Sequence, residues 1–371
     1  MMNLLVMVYL SFPLLIGWLF WGNNPGVKVD LGQIKKAPVL TGGVPGGLPG
    51  RVNKIQVVNF SPKTGNEIAI LGHRRITLLS CENYHISKQL SFADMLPKGS
   101  SLGSNSELVD VDGDGTFEIM RGGGGYRDVG LLDDKGNPLW TFHPDPHVSP
   151  NKMIHGDLNR DGLIEFYVAD HTGLYQLDPK GKVVKKISDA WVSDINIVDD
   201  PHREKPLLVA LTHRKEFQMF DFNGDLVRRF TPAYHFRHFD IVNWPLGPNI
   251  LIGVEGFHRW KIVLIDLDGK TIFDQMLTNF WFSHGPEGVA VRFGEKEQPY
   301  LAVVGHTKWV VSLPLTQPLT QLNIFSHAGE LIYQETLRAN RGFCVNGCKK
   351  GKGEVLLVGD NATAVWEYSL K

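Results

Sequence analysis

From residue 51 onward, apolar residues gather in short runs cut by Gly, Pro, Asn and Asp, and no stretch carries a convincing helical period over ten residues. That pattern predicts strands joined by tight turns. Five of the breaks have the same layout. VGLLDDKGNPLWTF (129–142) is an apolar run, an Asp/Gly turn and a second run, and it recurs as LYQLDPKGKVVKKI from 174 and FQMFDFNGDLVRRF from 217. It returns as IVLIDLDGKTIFDQ from 262 and NIFSHAGELIYQE from 323. Each reads as a hairpin whose glycine (Gly136, Gly181, Gly224, Gly269 or Gly329) takes a positive φ without steric cost.

Ahead of each hairpin lies another pair of apolar runs, such as LVDV and FEIM, INIV and PLLVAL, FDIV and NILIGV, or VAVRF and YLAVVG. A first unit is formed by KIQVVNF, EIAILG, ITLLSC and HISKQLSF, with its turn at Asn83. A seventh is assembled from EVLLVGD and AVWEYSL, and its weakness predicts that ring closure borrows a strand, from residues 36 to 44. Four strands per roughly 45 residues, repeated, predict an all-β fold: a β-propeller of seven four-stranded blades, where stacking buries faces that one blade cannot. A pair of β-sandwiches is the rival, but it gives no reason for five hairpins in register.

The amino terminus departs from this pattern. Residues 4–21, LLVMVYLSFPLLIGWLFW, carry no charge and have no polar face, close to the ~20 residues a membrane helix needs. The uncharged start and the aromatic end fit an uncleaved anchor better than a cleaved signal peptide. Residues 1–22 are therefore expected to be a membrane anchor or signal segment, 23–50 a Gly/Pro-rich tether, and 51–371 the propeller. Lys28, Lys35 and Lys36 follow the segment and no basic residue precedes it, which alone would leave the propeller in the cytoplasm.

Composition adds exclusions. With 38 Lys+Arg against 39 Asp+Glu, there is no basic field to draw nucleic acid. Three cysteines, Cys81, Cys344 and Cys348, are too few for a disulfide framework; Cys344 and Cys348 could pair, bind metal or do neither.

Two acidic loops carry the clearest chemistry. Asp110-x-Asp112-x-Asp114-Gly-Thr116-x-Glu118 lies between the first two strands of the second unit, and Asp157-x-Asn159-x-Asp161-Gly-Leu163-x-Glu165 takes the same place in the third. Alternate carboxylates around a glycine turn converge on one point and suit Ca²⁺, a hard cation wanting six to eight oxygens, with Thr116 and Leu163 offering backbone carbonyls. An EF-hand is excluded, because loop position twelve holds Arg121 or Val168 and the flanks read as strands. An acidic turn capping its own amides without metal is the bland alternative.

With these loops between blade strands and hairpins of the LLDDKGNPLW type, the chain resembles the FG-GAP and VCBS-type repeat propellers, relatives of the integrin α-subunit propellers. The resemblance covers residues 52 to 369 and implies a calcium-stabilised, mostly secreted or surface-exposed propeller used for adhesion or ligand binding. The LLDDKGNPLWTF hairpin also looks like the tryptophan-docking repeat of quinoprotein propellers, but only Trp140 stands at that place and no adjacent cysteines occur. Calcium sites of this short kind fill in extracellular calcium, ~10⁻⁴ to 10⁻³ M, so the propeller is expected on the extracytoplasmic side despite the lysines.

The expected function is thus a membrane-tethered, non-catalytic module binding a protein or glycan through its loop face. The alternative is a carbohydrate-active lyase or hydrolase with a central-pocket site, which would bring His155, His238, His284 and Arg341 together. No nucleophile elbow, phosphate loop or paired catalytic carboxylate motif is visible. Loop aromatics, Trp191, Trp244, Trp260, Phe280 and Trp281, serve either blade packing or sugar stacking.

Overall fold

A computed structural model describes residues 29–30 and 34–40 and, between 52 and 370, all but short stretches, the longest being 92–101, 279–286 and 307–318. Two strands come first, β1 (Val29–Asp30) and β2 (Ile34–Leu40). Blade 1 is β3 (Val52–Val58), β4 (Glu67–Gly72), β5 (Arg75–Ser80) and β6 (Ile86–Ser91). Blade 2 is β7 (Glu107–Val109), β8 (Glu118–Arg121), β9 (Val129–Leu132) and β10 (Pro138–Phe142). Blade 3 is β11 (Lys152–Gly156), β12 (Glu165–Asp170), β13 (Gly173–Leu177) and β14 (Val183–Ser188). Blade 4 is β15 (Val192–Val198), β16 (Leu207–Thr212), β17 (Phe217–Phe220) and β18 (Leu226–Phe230). Blade 5 is β19 (Phe239–Asn243), β20 (Pro248–Gly256), β21 (Arg259–Ile265) and β22 (Thr271–Thr278). Blade 6 is β23 (Glu287–Val291), β24 (Tyr300–His306), β25 (Leu319–Phe325) and β26 (Leu331–Arg338). The last strands are β27 (Val345–Lys350), β28 (Gly353–Asp360) and β29 (Ala364–Leu370).

These pair as seven antiparallel sheets, so the protein is a seven-bladed propeller. Blade 7 has the order β2-β29-β28-β27, closed by the amino-terminal strand, and β1 adds a fifth strand to the outer edge of blade 6. The borrowed strand therefore spans residues 34–40 rather than 36–44, and the propeller begins inside the stretch whose composition reads as a tether. The apolar segment 4–21 lies outside the described residues, among which no helix is long and apolar enough to cross a membrane.

The period of two explains the ring. Along β4, Ala69 and Leu71 pack into one cluster with Leu108, Phe117 and Ile119 of blade 2, while Ile68 and Ile70 pack into another with Cys348, Val355 and Leu357 of blade 7. Every second strand is buried on both faces, which is why these strands read as unbroken apolar runs such as LLVALT. The core is thus divided into seven clusters among the described residues, one between each pair of neighbouring blades. Cys81 and Cys348, 6.1 Å apart at Cα, are joined by a disulfide across the seam between blades 1 and 7. Cys348 thus pairs with Cys81, because β27 packs against blade 1, and not with Cys344, which lies outside the described residues.

The repeated hairpin has a physical cause. Asp133 Oδ1 accepts the amides of Lys135 and Asn137, and Asp178, Asp221 and Asp266 do the same two and four residues on. The glycine three residues after each aspartate sits at φ between 74° and 90°. It also faces the preceding blade: a Cβ at Gly181 would lie 2.5 Å from Trp140, and one at Gly269 2.9 Å from Phe230. Trp140 Nε1 completes the contact by donating to Pro179 O at 3.1 Å. Gly181→Ala is expected to cost about 2–4 kcal/mol, combining backbone strain with overpacking, read as a lower urea midpoint with altered Trp140 fluorescence. An unchanged midpoint would show that the interlock carries no stability.

Candidate functional site

Because neighbouring strands are antiparallel, the links between first and second strands share one face of the disc with the hairpins. Links between blades, and between second and third strands, lie on the other. The two acidic loops therefore sit on the hairpin face, between β7 and β8 and between β11 and β12.

In the first loop, Asp110 accepts the amides of Gly113 at 2.8 Å and Gly115 at 3.0 Å, and Asp114 accepts Thr116 N at 2.6 Å. Asp112 accepts Asp114 N at 3.2 Å, and Glu118 accepts Val111 N at 2.9 Å. One carboxylate oxygen from each of Asp110, Asp112 and Asp114 lies within 4.8 Å of the others, a donor set that fits a hard cation. Burial and the three neighbouring aspartates raise Glu118, the response of a carboxylate added to an acidic pocket.

The second loop repeats the fold. Asp157 accepts Asp161 N at 3.0 Å and Gly162 N at 2.8 Å, and Asp161 accepts Leu163 N at 2.8 Å. Asn159 here donates its amide to Asp161 and Glu165, at 2.9 and 3.1 Å. Gly113 and Gly115 take positive φ in the first loop, as Arg160 and Gly162 do in the second.

A second cluster lines the central channel and has no counterpart in any local motif. Lys54 of blade 1 pairs with Glu107 of blade 2, and His155 Nε2 of blade 3 lies 3.3 Å from the same carboxylate. Lys152 Nζ of blade 3 lies 2.9 Å from Asp194 of blade 4, which also meets His238 Nδ1 at 3.4 Å and accepts Phe239 N of blade 5 at 3.2 Å. Asp240 accepts Ile241 N at 2.8 Å and Gly288 N of blade 6 at 3.1 Å. Burial opposes charge on Glu107, yet Lys54 and His155 hold it well below the usual carboxylate range. Asp194 is held down against burial by Lys152 and His238. Asp240 goes the other way, raised by burial against its amide donors. Glu287 of blade 6 is pushed up to about 8 by burial and Asp240, against the pull of Lys54 and Lys152. Charged residues of blades 1, 3 and 5 thus all act on the Glu287 carboxyl of blade 6.

His155 and His238 thus reach one cluster, while His284 and Arg341 lie outside the described residues. The signal for this cluster is a charged residue near the start of the first strand in each of blades 1 to 6: Lys54, Glu107, Lys152, Asp194, Asp240 and Glu287.

On the face opposite the acidic loops, Trp191 is 47% exposed. It stacks on His213 at 4.0 Å and 7°, and His213 N donates to Trp191 O at 2.8 Å. His171 approaches edge-on at 6.4 Å, between Asp170 at 2.7 Å and Asp145 at 3.2 Å. Trp244, by contrast, is a packing residue, fully enclosed with Nε1 donating to Pro299 O at 3.0 Å. Phe280 and Trp281 lie outside the described residues, as does the side chain of Trp260.

The comparisons agree with the architecture. No family model matches the chain, and no curated protein matches it. The solved structure of BBS1N in complex with ARL6DN is similar over 94% of this chain and 98% of that one, with a TM-score of 0.57 and 10% identity. The Pan2 WD40 domain of Neurospora crassa is similar over 91% of this chain and 95% of its own, with a TM-score of 0.52 and 11% identity. At these identities the likeness shows the fold alone, a seven-bladed β-propeller.

Proposed function

We propose that the chain is a membrane-tethered, extracytoplasmic propeller of the FG-GAP/VCBS type, which binds calcium on one face and a protein ligand on the other. The observation that carries the binding half is Trp191. A large aromatic side chain held rigid by a stacked histidine and left open to solvent is the anchor chemistry of recognition surfaces. BBS1N, crystallised with ARL6DN, is a propeller with a protein partner and supports the same use of the fold. Trp191→Ala is expected to remove most of the proteins that the immobilised wild-type chain retains, counted by quantitative mass spectrometry. Equal retention by both chains refutes this surface, and retention of free glycan alone would reassign it to carbohydrate.

In the calcium half, Asp110, Asp112, Asp114 and Glu118 hold one ion with the Thr116 carbonyl, and Asp157, Asn159, Asp161 and Glu165 hold a second with the Leu163 carbonyl. The ion would neutralise the acidic loops and fix each first strand to its second. Calcium at ~100 times its Kd is expected to add ~2.7 kcal/mol per site to the folded full chain. Asp112→Asn and Asp161→Asn should each remove one site's share in thermal unfolding. Identical melting in calcium and in chelator would sink the metal reading.

A further inference from the structure

We infer that the face carrying Trp191 holds an acidic segment of the protein ligand and tightens on it as pH falls, an inference that rests on the Trp191 reading above. Histidines gather on that face. His143 and His147 stand in the link between blades 2 and 3, His171 and His213 in the turns after β12 and β16, and His235 and His238 in the link between blades 4 and 5. The hairpin face has only His85, His202 and His327 among the described residues, scattered over blades 1, 4 and 6.

Around Trp191 the fixed charges nearly cancel, with Lys186, Arg214 and Lys215 set against Asp145, Asp170, Asp189 and Glu216. Lys186 reaches Asp189 at 2.6 Å and covers the Tyr175 ring, while Lys215 covers the Phe236 ring. Glu216 accepts the Gln218 side chain at 2.7 Å, and Arg214 is exposed next to His213. His171 is held between Asp170 and Asp145, and Asp145 also accepts the His147 amide at 2.7 Å, which places His147 beside the same carboxylate. Toward the channel, His238 meets Asp194, which Lys152 also meets, and Asp240 follows on β19. His235 is exposed next to Tyr234, whose ring Lys261 covers.

Imidazole is the side chain that ordinarily changes charge between pH 5 and 8. Where fixed charges balance, the protonation of these rings sets the sign of the face, and a positive face fits carboxylates. A protein segment suits the anchor better than a bilayer does. Trp191 is the one exposed large apolar side chain on this face among the described residues, the others lying on fourth strands or on the hairpin face. A bilayer takes up a whole apolar face, whereas one aromatic anchor ringed by polar groups is the pattern of a protein contact.

The test is fluorescence anisotropy of a labelled peptide of alternating aspartate and leucine, titrated with the full chain in chelator at constant ionic strength. Affinity is expected to rise about tenfold from pH 7.5 to pH 5.5, a range over which aspartate stays charged. A peptide with lysine in place of aspartate should show no rise. His147→Gln with His213→Phe removes two imidazoles and keeps a ring stacked on Trp191. It should hold the pH 7.5 affinity within about twofold and cut the rise to about threefold or less. His147→Gln alone, at an exposed link position, should remove part of the rise if the pair does not fold. No binding of the aspartate peptide at pH 5.5, equal affinity at both pH values, or an undiminished rise in these variants overturns the inference. If Trp191→Ala still loses the retained proteins, the surface itself stands and only its pH gating and acidic partner fall. Binding to phosphatidylserine vesicles at pH 5.5 with none to the peptide would overturn the inference in favour of a lipid surface.

Discussion

A chain lacking residues 1–40 is expected to melt about 10 °C or more below a chain that starts at residue 29. The difference between the two is β1 and β2, and β2 is a full edge of blade 7. It pairs with β29 from Ile34 opposite Leu370 to Leu40 opposite Val365. Ile34, 2% exposed, sits in the cluster between blades 6 and 7 with Tyr333 and Tyr368. Lys36 bridges to Glu335 at 2.8 Å and covers the Trp366 ring at 4.2 Å. Uncovering one buried isoleucine costs about 1.5–3 kcal/mol, and loss of the ladder and of the contacts around Lys36 brings the total to about 4 kcal/mol or more. That is a large share of the ~5–15 kcal/mol holding a typical domain. At ~2–4 °C per kcal/mol for a domain of this size class, the shift is large enough for a routine melt. Equal melting of the two chains would mean that blade 7 closes without β2.

The second large effect is expected of Lys152→Ala, at about 2–4 kcal/mol in urea unfolding at pH 7. Asp194 is 3% exposed, and the substitution leaves its charge without the nearest cation while the Phe239 amide remains. In the wild type the folded value of Asp194 is depressed, so its contribution is present above the unfolded carboxylate range near ~3.9 and fades as pH falls through the folded value. In the variant the carboxyl protonates at higher pH. The gap between variant and wild type should therefore narrow on going from pH 7 to pH 5. The double variant Lys152→Met with Asp194→Leu should recover part of the loss, because removing both charges leaves no buried charge unpaired and only the Phe239 amide loses its acceptor. A lysine variant as stable as the wild type would show that His238 and the backbone amides satisfy Asp194 without Lys152.

What the sequence made legible was local. The blade repeat could be read because each hairpin carries an aspartate that caps its own turn and a glycine with positive φ, all within four residues. The acidic loops were readable for the same reason: their oxygens come from alternate positions of one strand link. The channel cluster was not, since Lys54 meets Glu107 and Lys152 meets Asp194 from different blades, and each looks alone like a charge misplaced in a strand. Cys81 and Cys348 are 267 residues apart, and no spacing rule reaches that far. Trp191, in the link between blades 3 and 4, and Trp244, between β19 and β20 of blade 5, look alike as loop aromatics, and only the distant Pro299 carbonyl that meets Trp244 shows which is enclosed.

The closing of the ring also sets where a mechanical load would fall. The amino-terminal strands join the disc at its outer rim, on blades 6 and 7, rather than at either face. A pull on the amino terminus would therefore peel β1 and β2 from the edge and act on the seam, sparing the acidic loops and the channel. There the Cys81–Cys348 bond ties blade 7 to blade 1, so a propeller stripped of its outer strand stays a closed loop of chain. The seam would behave as a clasp with one detachable and one covalent part, and an oxidising compartment would keep the second part shut.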